Sequence, residues 1–204
     1  TLKQISTGKK DNKFGVDENE FIKLVKYSKI SKFLNLNCLS VHIGSQILSH
    51  KPYEKMLKVI DKIIVKTNYK FKFIDLGGGI GISYNEAEKR FNFKVFNSCI
   101  KKFLKKHKSK IILEPGRSII ANTGILISKV IYIKKNKAKN FIILDAAMND
   151  FMRTALYGAK HKIIPAVKNS KIINKNFEFV GPICESTDKF LNMNKFNSIK
   201  EKDI

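Results

Sequence analysis

Acidic residues are scarce in this chain: 17 Asp and Glu stand against 40 Lys and Arg in 204 residues, a formal net charge of +23. That imbalance raises the question of a polyanion partner. The excess is mostly lysine scattered among Ile and Asn, and the clusters at Lys101–Lys110 and Lys134–Lys139 carry no alternating Phe or Tyr platform. A solvated, lysine-biased surface is expected, with non-specific polyanion binding as a side effect and no specific nucleic-acid recognition. Cysteine is also sparse. Cys38, Cys99 and Cys184 lie too far apart for a metal-type pair, and the four histidines are equally dispersed, so no metal set is expected. Low cysteine usage suits a reducing, cytoplasmic compartment. Apolar runs are short and interrupted by charge, which excludes a membrane-spanning helix on this reading. Ser45 and Ser118 follow no nucleophile-elbow pattern, which sets hydrolase triads aside. There is no signal peptide; the chain starts at Thr1 in a turn-like STGKKDNKFG stretch, so an N-terminal portion is expected upstream.

The stretch that is most distinctive runs from 71 to 84, FKFIDLGGGIGISY. Phe71, Phe73, Ile74 and Leu76 favour a buried strand, whereas Gly77, Gly78 and Gly79 suit neither a strand interior nor a helix. A strand therefore ends there in a loop that something can approach closely. An anion on converging backbone amides is one reading, and a tight turn with a bulge is the other. The spacing is not that of a dinucleotide or nucleoside-triphosphate fingerprint.

Around that stretch, Asp17 with Glu20 predicts the start of a helix whose face holds Phe21, Leu24, Val25 and Ser28. Leu39 and Val41 lead as a strand into His42, and Gly44-Ser45 breaks it. Pro52 opens a helix to about Thr67, with Tyr53, Met56, Leu57, Ile60, Ile63 and Ile64 inward. A third helix is expected from Phe91 to about His107, with Phe93, Phe96, Ile100, Phe103 and Leu104 inward, then a strand over Ile111–Leu113 ending in Glu114-Pro115-Gly116-Arg117. His42, Asp75 and Glu114 thus stand at successive strand ends, at a spacing that allows a return helix between parallel strands. Such groups converge on one rim, and a barrel is favoured over an open sheet. The period changes after Arg117. Residues 123–133 read as a long strand, KNKA as a hairpin connection and Asn140–Leu144 as the return, so antiparallel structure and a domain transition near residue 120 are expected. Residues 146–158 read as partly helical, 161–180 as short strands and 181–188 as a dense polar loop.

The groups left to explain are an imidazole, a glycine-rich cradle, Glu114 with Arg117, Arg153 with Tyr157, and the Cys184-Glu185 pair. A phosphate-bearing cofactor that needs a flat stacking partner and an acid near a ring nitrogen fits them, and pyridoxal 5′-phosphate is such a cofactor. The chain resembles the diaminopimelate decarboxylases, in the alanine-racemase-like group of pyridoxal-phosphate enzymes that also contains the ornithine and arginine decarboxylases. The resemblance rests on ISTG followed by KFGV near the start, HIGSQ at 42–46, DLGGGIGISY at 75–84, EPGRSIIANTG at 114–124, DAAMNDFMRTALYGA at 145–159 and GPICESTD at 181–188. These stretches cover nearly the whole chain in the family's order.

The resemblance implies an α/β fold: the C-terminal portion of a cofactor-binding (β/α)8 barrel over 1–119, then part of an antiparallel β domain over 120–204, in a homodimer with shared sites. It implies that His42, otherwise readable as a core histidine, stacks on the pyridine ring. Ser45 and the amides around Gly77, Gly78 and Gly79 would hold the phosphate, Glu114 the ring nitrogen, and Gly116 and Arg117 would join the cofactor site. Arg117 would face the phosphate or a substrate carboxylate, and Arg153 and Tyr157 would bind substrate. Cys184, readable alone as a small buried hydrophobe, would serve protonation in the partner's site, and Glu185 would recognise the distal amino group. The implied reaction is decarboxylation of meso-2,6-diaminoheptanedioate to L-lysine, the last step of lysine biosynthesis. An ornithine- or arginine-type decarboxylase is the rival within the class, and an inactive basic remnant with a binding role is the rival outside it. Thr154 replaces the proline usual in this motif, which would loosen the loop. The family's cofactor-bearing lysine is expected upstream of Thr1, and its closing tyrosine-containing region beyond Ile204. The 204 residues alone are accordingly expected to have little activity and, with exposed sheet edges, to aggregate or remain molten.

Overall fold

The carboxylate of Asp17 accepts the amides of Asn19 and Glu20 at 2.8 and 2.9 Å and so starts helix α1, Glu18–Ile30. In this computed structural model, which describes residues 13–84, 88, 90–167 and 171–204, the ISTG segment at 5–8 lies outside the described residues. Val25 is buried and Phe21 packs beside it, but Leu24 is exposed, because it falls off the Phe21–Val25–Ser28 row of the helix. Strand β1, Cys38–Ser40, is followed by α2, Lys51–Thr67, whose Pro52 stands in the first turn and whose Tyr53, Met56, Leu57 and Ile60 are buried. Then come β2, Phe73–Asp75, α3, Phe93–Lys106, and β3, Lys110–Ile112.

The three strands pair in parallel in the order β1-β2-β3, with Leu39 opposite Ile74 and Ile74 opposite Ile111. Ile74 and Leu76 are fully buried. Each such side chain stabilises the fold by about 1.5–3 kcal/mol, and together with α2 and α3 they fix where the strand ends lie. On α3 Phe96 and Phe103 are buried and Ile100 and Leu104 pack partly buried against the same core, while Phe93 is exposed. Asn92 caps this helix through a 3.1 Å bond from the Val95 amide. Phe91, just before the cap, takes the inward place expected of Phe93 and meets the rings of Tyr53 and Phe96 at 5.8 and 5.4 Å. His107, just past the helix, is half-buried and bonds Asp61 at 2.6 Å.

Beyond β3 the chain makes a short helix α4, Arg117–Ile120, and then β4, Val130–Lys135, and β5, Asn140–Leu144. The long strand expected over 123–133 therefore pairs only from Val130. The Asp145 carboxylate holds Ser128 Oγ and the Lys129 amide at 2.7 and 2.8 Å, closing the ladder there, and Ile125, Leu126 and Ile127 are exposed. Helix α5, Arg153–Tyr157, and strands β6, Ile172–Ile173, β7, Phe177–Val180, β8, Lys189–Met193, and β9, Phe196–Asn197, complete the order. The larger sheet runs β4-β5-β7-β8, and β6 pairs β9. It is not wholly antiparallel as expected. β5 and β7 are parallel, because the connection between them carries α5 and crosses over instead of turning back. Val130, Ile142, Leu144, Phe177, Phe179 and Phe196 form its core.

The chain divides into two compact units: one runs to Ser83 and resumes over Glu88–Gly124, and the other holds Tyr84 and Ile125–Ile204. The fold is thus α/β, with a parallel three-stranded piece of barrel-like βα units and a β-rich unit of mixed sheet. Among the described residues no helix is long and apolar enough to cross a membrane.

In the β-rich unit the Glu178 carboxylate is buried within the sheet and paired with Lys139 and, at 3.1 Å, with Lys189. Burial pushes its pKa up, but the two ammonium groups outweigh burial and hold it below the ordinary 4.5. A carboxylate depressed in the folded state contributes stability above its unfolded pKa and loses it as pH falls through the folded one. Urea midpoints measured from pH 7 to pH 3 should therefore fall below about pH 4.5, and Glu178→Gln should flatten that fall relative to the parent. Identical acid slopes would contradict the assignment.

Candidate functional site

The ends of β1, β2 and β3 are stitched together beyond the strands. The Val41 amide donates to Asp75 O and the Leu76 amide to Ile112 O. Farther out, Ile47 N donates to Gly79 O at 2.9 Å, Gly81 N to Ile47 O at 3.0 Å, and Glu114 N to Gly77 O at 3.0 Å. Asp75 is consumed by this scaffold: its buried carboxylate accepts the Gly77 amide at 2.9 Å and Ser40 Oγ at 3.0 Å. From below, Tyr53 donates its hydroxyl to Gly78 O at 2.8 Å, and burial pushes its pKa up to about 12, so it remains a donor.

The glycines permit this convergence. A Cβ at Gly78 would lie 2.3 Å from Glu114 O, and one at Gly79, where φ is +96°, 2.1 Å from Gly44 O. At Gly77 a Cβ would press on His42 Nδ1 at 2.9 Å. The three loops thereby enclose a cleft of about 200 Å³ lined by His42, Ser45, Gln46, Gly78, Gly79, Ile80, Glu114, Gly116 and Arg117. His42 and Glu114 are exposed, so His42 is not a core histidine, and Arg117 is half-buried. The Gly78 and Gly79 amides have no acceptor among the described residues. One wall thus presents N–H groups and a guanidinium, a setting for an anion, while an imidazole and a carboxylate stand at the same cleft.

Seven of the expected residues, His42, Ser45, Gly78, Gly79, Glu114, Gly116 and Arg117, line this cleft, and Gly77 lies beneath His42. Gln46 and Ile80 line it too but were not singled out by sequence reasoning. Gln46 stands inside HIGSQ with no chemistry of its own to flag it; Arg117 Nη1 donates to its Oε1 at 3.0 Å.

The other expected residues belong to the β-rich unit. Arg153 and Tyr157 are one turn apart on α5, the guanidinium 5.9 Å from the ring centroid. Arg153 Nε also donates to His161 Nε2 at 3.4 Å, and His161 packs between the rings of Tyr84 and Phe151 at 4.9 and 4.7 Å. Thr154, expected to loosen its loop, is buried and donates its hydroxyl to Phe151 O at 3.4 Å. Cys184 is a free, exposed thiol rather than a small buried hydrophobe, and Glu185 beside it is exposed. Their loop is held by buried Asp188, which accepts the amides of Ile183 and Met148 at 2.9 and 2.7 Å. Asp188 was missed by sequence reasoning because an acid in a polar loop reads as solvated.

Comparison with known proteins bears on what this arrangement serves. A model described as "Pyridoxal-dependent decarboxylase, pyridoxal binding domain" matches residues 1–121. A diaminopimelate decarboxylase of Helicobacter pylori is 42% identical over 192 residues, covering 92% of this chain and 47% of that protein. One of Aquifex aeolicus is also 42% identical over 192 residues, with 90% and 44% covered. The crystal structure of the Helicobacter pylori enzyme complexed with L-lysine superposes with a TM-score of 0.89 at 41% identity, covering all of this chain and 51% of that one. The chain spans about half the length of the curated relatives it matches. With a matched segment that contains every residue lining the cleft, the chain belongs to the pyridoxal-dependent decarboxylase family, through that family's pyridoxal-binding domain.

Proposed function

We propose that the cleft seats pyridoxal 5′-phosphate and that the whole protein decarboxylates meso-2,6-diaminoheptanedioate to L-lysine and carbon dioxide. The observation that carries this reading is the convergence of an imidazole, a carboxylate, a guanidinium and a glycine cradle on one cleft within a pyridoxal-binding domain. The residues present fit the cofactor: the Gly78 and Gly79 amides are without acceptors among the described residues, and their missing Cβ atoms let the loops pack closely enough to form the cleft. When bound, the pyridine ring supplies an electron sink for the pair left as a carboxyl group departs. His42 offers a flat face to that ring. Ser45 and the glycine loop would hold the phosphate, with Gly77 shaping the loop and Gly116 lining the same cleft. Glu114 would keep a proton on the ring nitrogen, since a nearby negative charge favours the positive form. Arg117 holds an anion at the same cleft.

Arg153 and Tyr157 bind substrate, because a guanidinium fork grips a carboxylate better than an ammonium does. In the partner subunit's site, Glu185 would recognise the distal ammonium and the Cys184 thiol would supply the proton that takes the place of carbon dioxide on the α-carbon. In this reading residues 1–119 are the last part of a (β/α)8 barrel and 120–204 the start and middle of a C-terminal β domain. The protein is a cytoplasmic homodimer that completes each site across its interface. Likeness to diaminopimelate decarboxylases at about 40% identity supports the substrate assignment over ornithine or arginine.

The test is carbon dioxide release by the intact protein, supplied with pyridoxal 5′-phosphate and either meso-diaminopimelate, ornithine or arginine. Preference for diaminopimelate by about 100-fold or more in kcat/KM is expected, because a site built for a second charged group rejects substrates that leave it unpaired. Preference for ornithine or arginine would overturn the substrate, and absence of decarboxylation with all three would favour a remnant with a binding role.

A further inference from the structure

Gln46 occupies a position that a glutamine has no local reason to take. Its φ is +59°, in the left-handed region that L side chains avoid, yet it is not a glycine. That backbone turn directs its side chain across all three strand-end loops. Gln46 itself belongs to the loop after β1, its Nε2 donates to Ile82 O at 2.6 Å in the loop after β2, and its Oε1 accepts from Arg117 Nη1 at 3.0 Å after β3. Gly81 makes room for it: a Cβ there would lie 2.7 Å from Gln46 Oε1 and 2.9 Å from its Cα. Gln46 also lines the cleft beside Ser45 and Gly79.

We infer that Gln46 is a positioning residue that orients the Arg117 guanidinium and the glycine-rich loop toward one bound anion, a phosphate or a carboxylate. The neutrality of the amide is part of the device. A glutamate of the same shape could also accept from Arg117, but it would place a full negative charge beside the anion and offset the charge of the guanidinium. It would also set a carboxylate oxygen against Ile82 O in place of a donor. A purely structural role predicts that the isosteric Gln46→Glu is milder than the truncating Gln46→Ala. An anion-orienting role predicts the reverse order for phosphate-bearing ligands.

The inference rests on the proposed cofactor site, and the experiment keeps the two separable. The intact protein, Gln46→Ala and Gln46→Glu are titrated with pyridoxal 5′-phosphate and with pyridoxal, which lacks the phosphate, and binding is followed by fluorescence; thermal melting of each protein is recorded in parallel. The expected result is that Gln46→Glu weakens pyridoxal 5′-phosphate by about 10-fold or more and Gln46→Ala by less, while pyridoxal affinity changes by less than about 2-fold. Gln46→Glu binding pyridoxal 5′-phosphate as tightly as the parent, or both variants losing pyridoxal equally, would overturn it. If the parent itself does not prefer the phosphorylated ligand, the phosphate assignment of the cleft fails. The inference then stands only if KM for meso-diaminopimelate rises more in Gln46→Glu than in Gln46→Ala with a smaller change in kcat, and it falls if KM does not follow that order.

Discussion

Gly79→Ala should destabilise the protein by about 3 kcal/mol or more, the sum expected of a left-handed backbone strain and an overpacked contact. The new Cβ would meet Gly44 O at 2.1 Å and the Tyr53 hydroxyl oxygen at 3.2 Å. Neither neighbour can give way cheaply. Gly44 O belongs to backbone, and Tyr53 is buried with its hydroxyl committed to Gly78 O. The Ile47–Gly79 and Gly81–Ile47 hydrogen bonds that join the first two loops lie on either side of the clash, so the loop would part there first. Gly124→Ala is the control, because a Cβ at Gly124 meets nothing within 4 Å, and its effect should stay within about 0.5 kcal/mol. Urea denaturation of both variants and the parent, with and without pyridoxal 5′-phosphate, measures the difference. Added cofactor should raise the parent midpoint more than that of Gly79→Ala, since ligand stabilisation requires an intact site. Equal stability of the two alanine variants would show that the loop is looser than its geometry implies.

What the sequence disclosed and what it hid follow from the same physics. Asp17, Pro52 and the Tyr53–Ile60 row announced α1 and α2, because caps and 3.6-residue periodicity act locally. The strand ends were legible because each apolar run terminates in a group with chemistry, His42, Asp75 or Glu114. Their distinct fates were not. Asp75 is spent on the Gly77 amide and Ser40, and nothing in DLGGG says that its carboxylate turns into the scaffold. Phe93 and Leu24 read as inward from sequence because apolarity marks candidates for burial, whereas the choice between Phe91 and Phe93 depends on where Asn92 caps α3. The 123–133 run illustrates the same limit: its β-branched residues suit a strand, but Asp145 seizes Ser128 and Lys129 and confines pairing to Val130 onward. Gln46 was hidden for a different reason. Its role lies in three tertiary hydrogen bonds, two with Ile82 spanning 36 residues and one with Arg117 spanning 71, and an amide carries no charge to draw notice.

Glu114→Gln should lower kcat for diaminopimelate by about 100- to 1,000-fold, the range typical of removing one preorganised electrostatic group, while leaving the fold within about 0.5 kcal/mol of the parent. The separation is expected because the structure anchors Glu114 by its backbone. Its amide bonds Gly77 O at 3.0 Å and its carbonyl lies against Gly78, while the residue as a whole is exposed to the cleft. A glutamine retains those backbone contacts and the side chain's shape but not its charge. In the proposed site that charge keeps a proton on the cofactor's ring nitrogen, and an amide stabilises the protonated form far less. Cofactor affinity, which the proposed site assigns chiefly to the phosphate cradle and His42, should change by less than about 10-fold, so the loss belongs to kcat rather than to occupancy. Glu114→Asp, which keeps the charge on a shorter arm, should fall between the two. Steady-state carbon dioxide release at saturating cofactor, with the dissociation constant measured separately, distinguishes these outcomes. An unchanged kcat in Glu114→Gln would move the carboxylate away from the ring nitrogen, and a lost cofactor affinity with normal kcat would make Glu114 a binding residue instead.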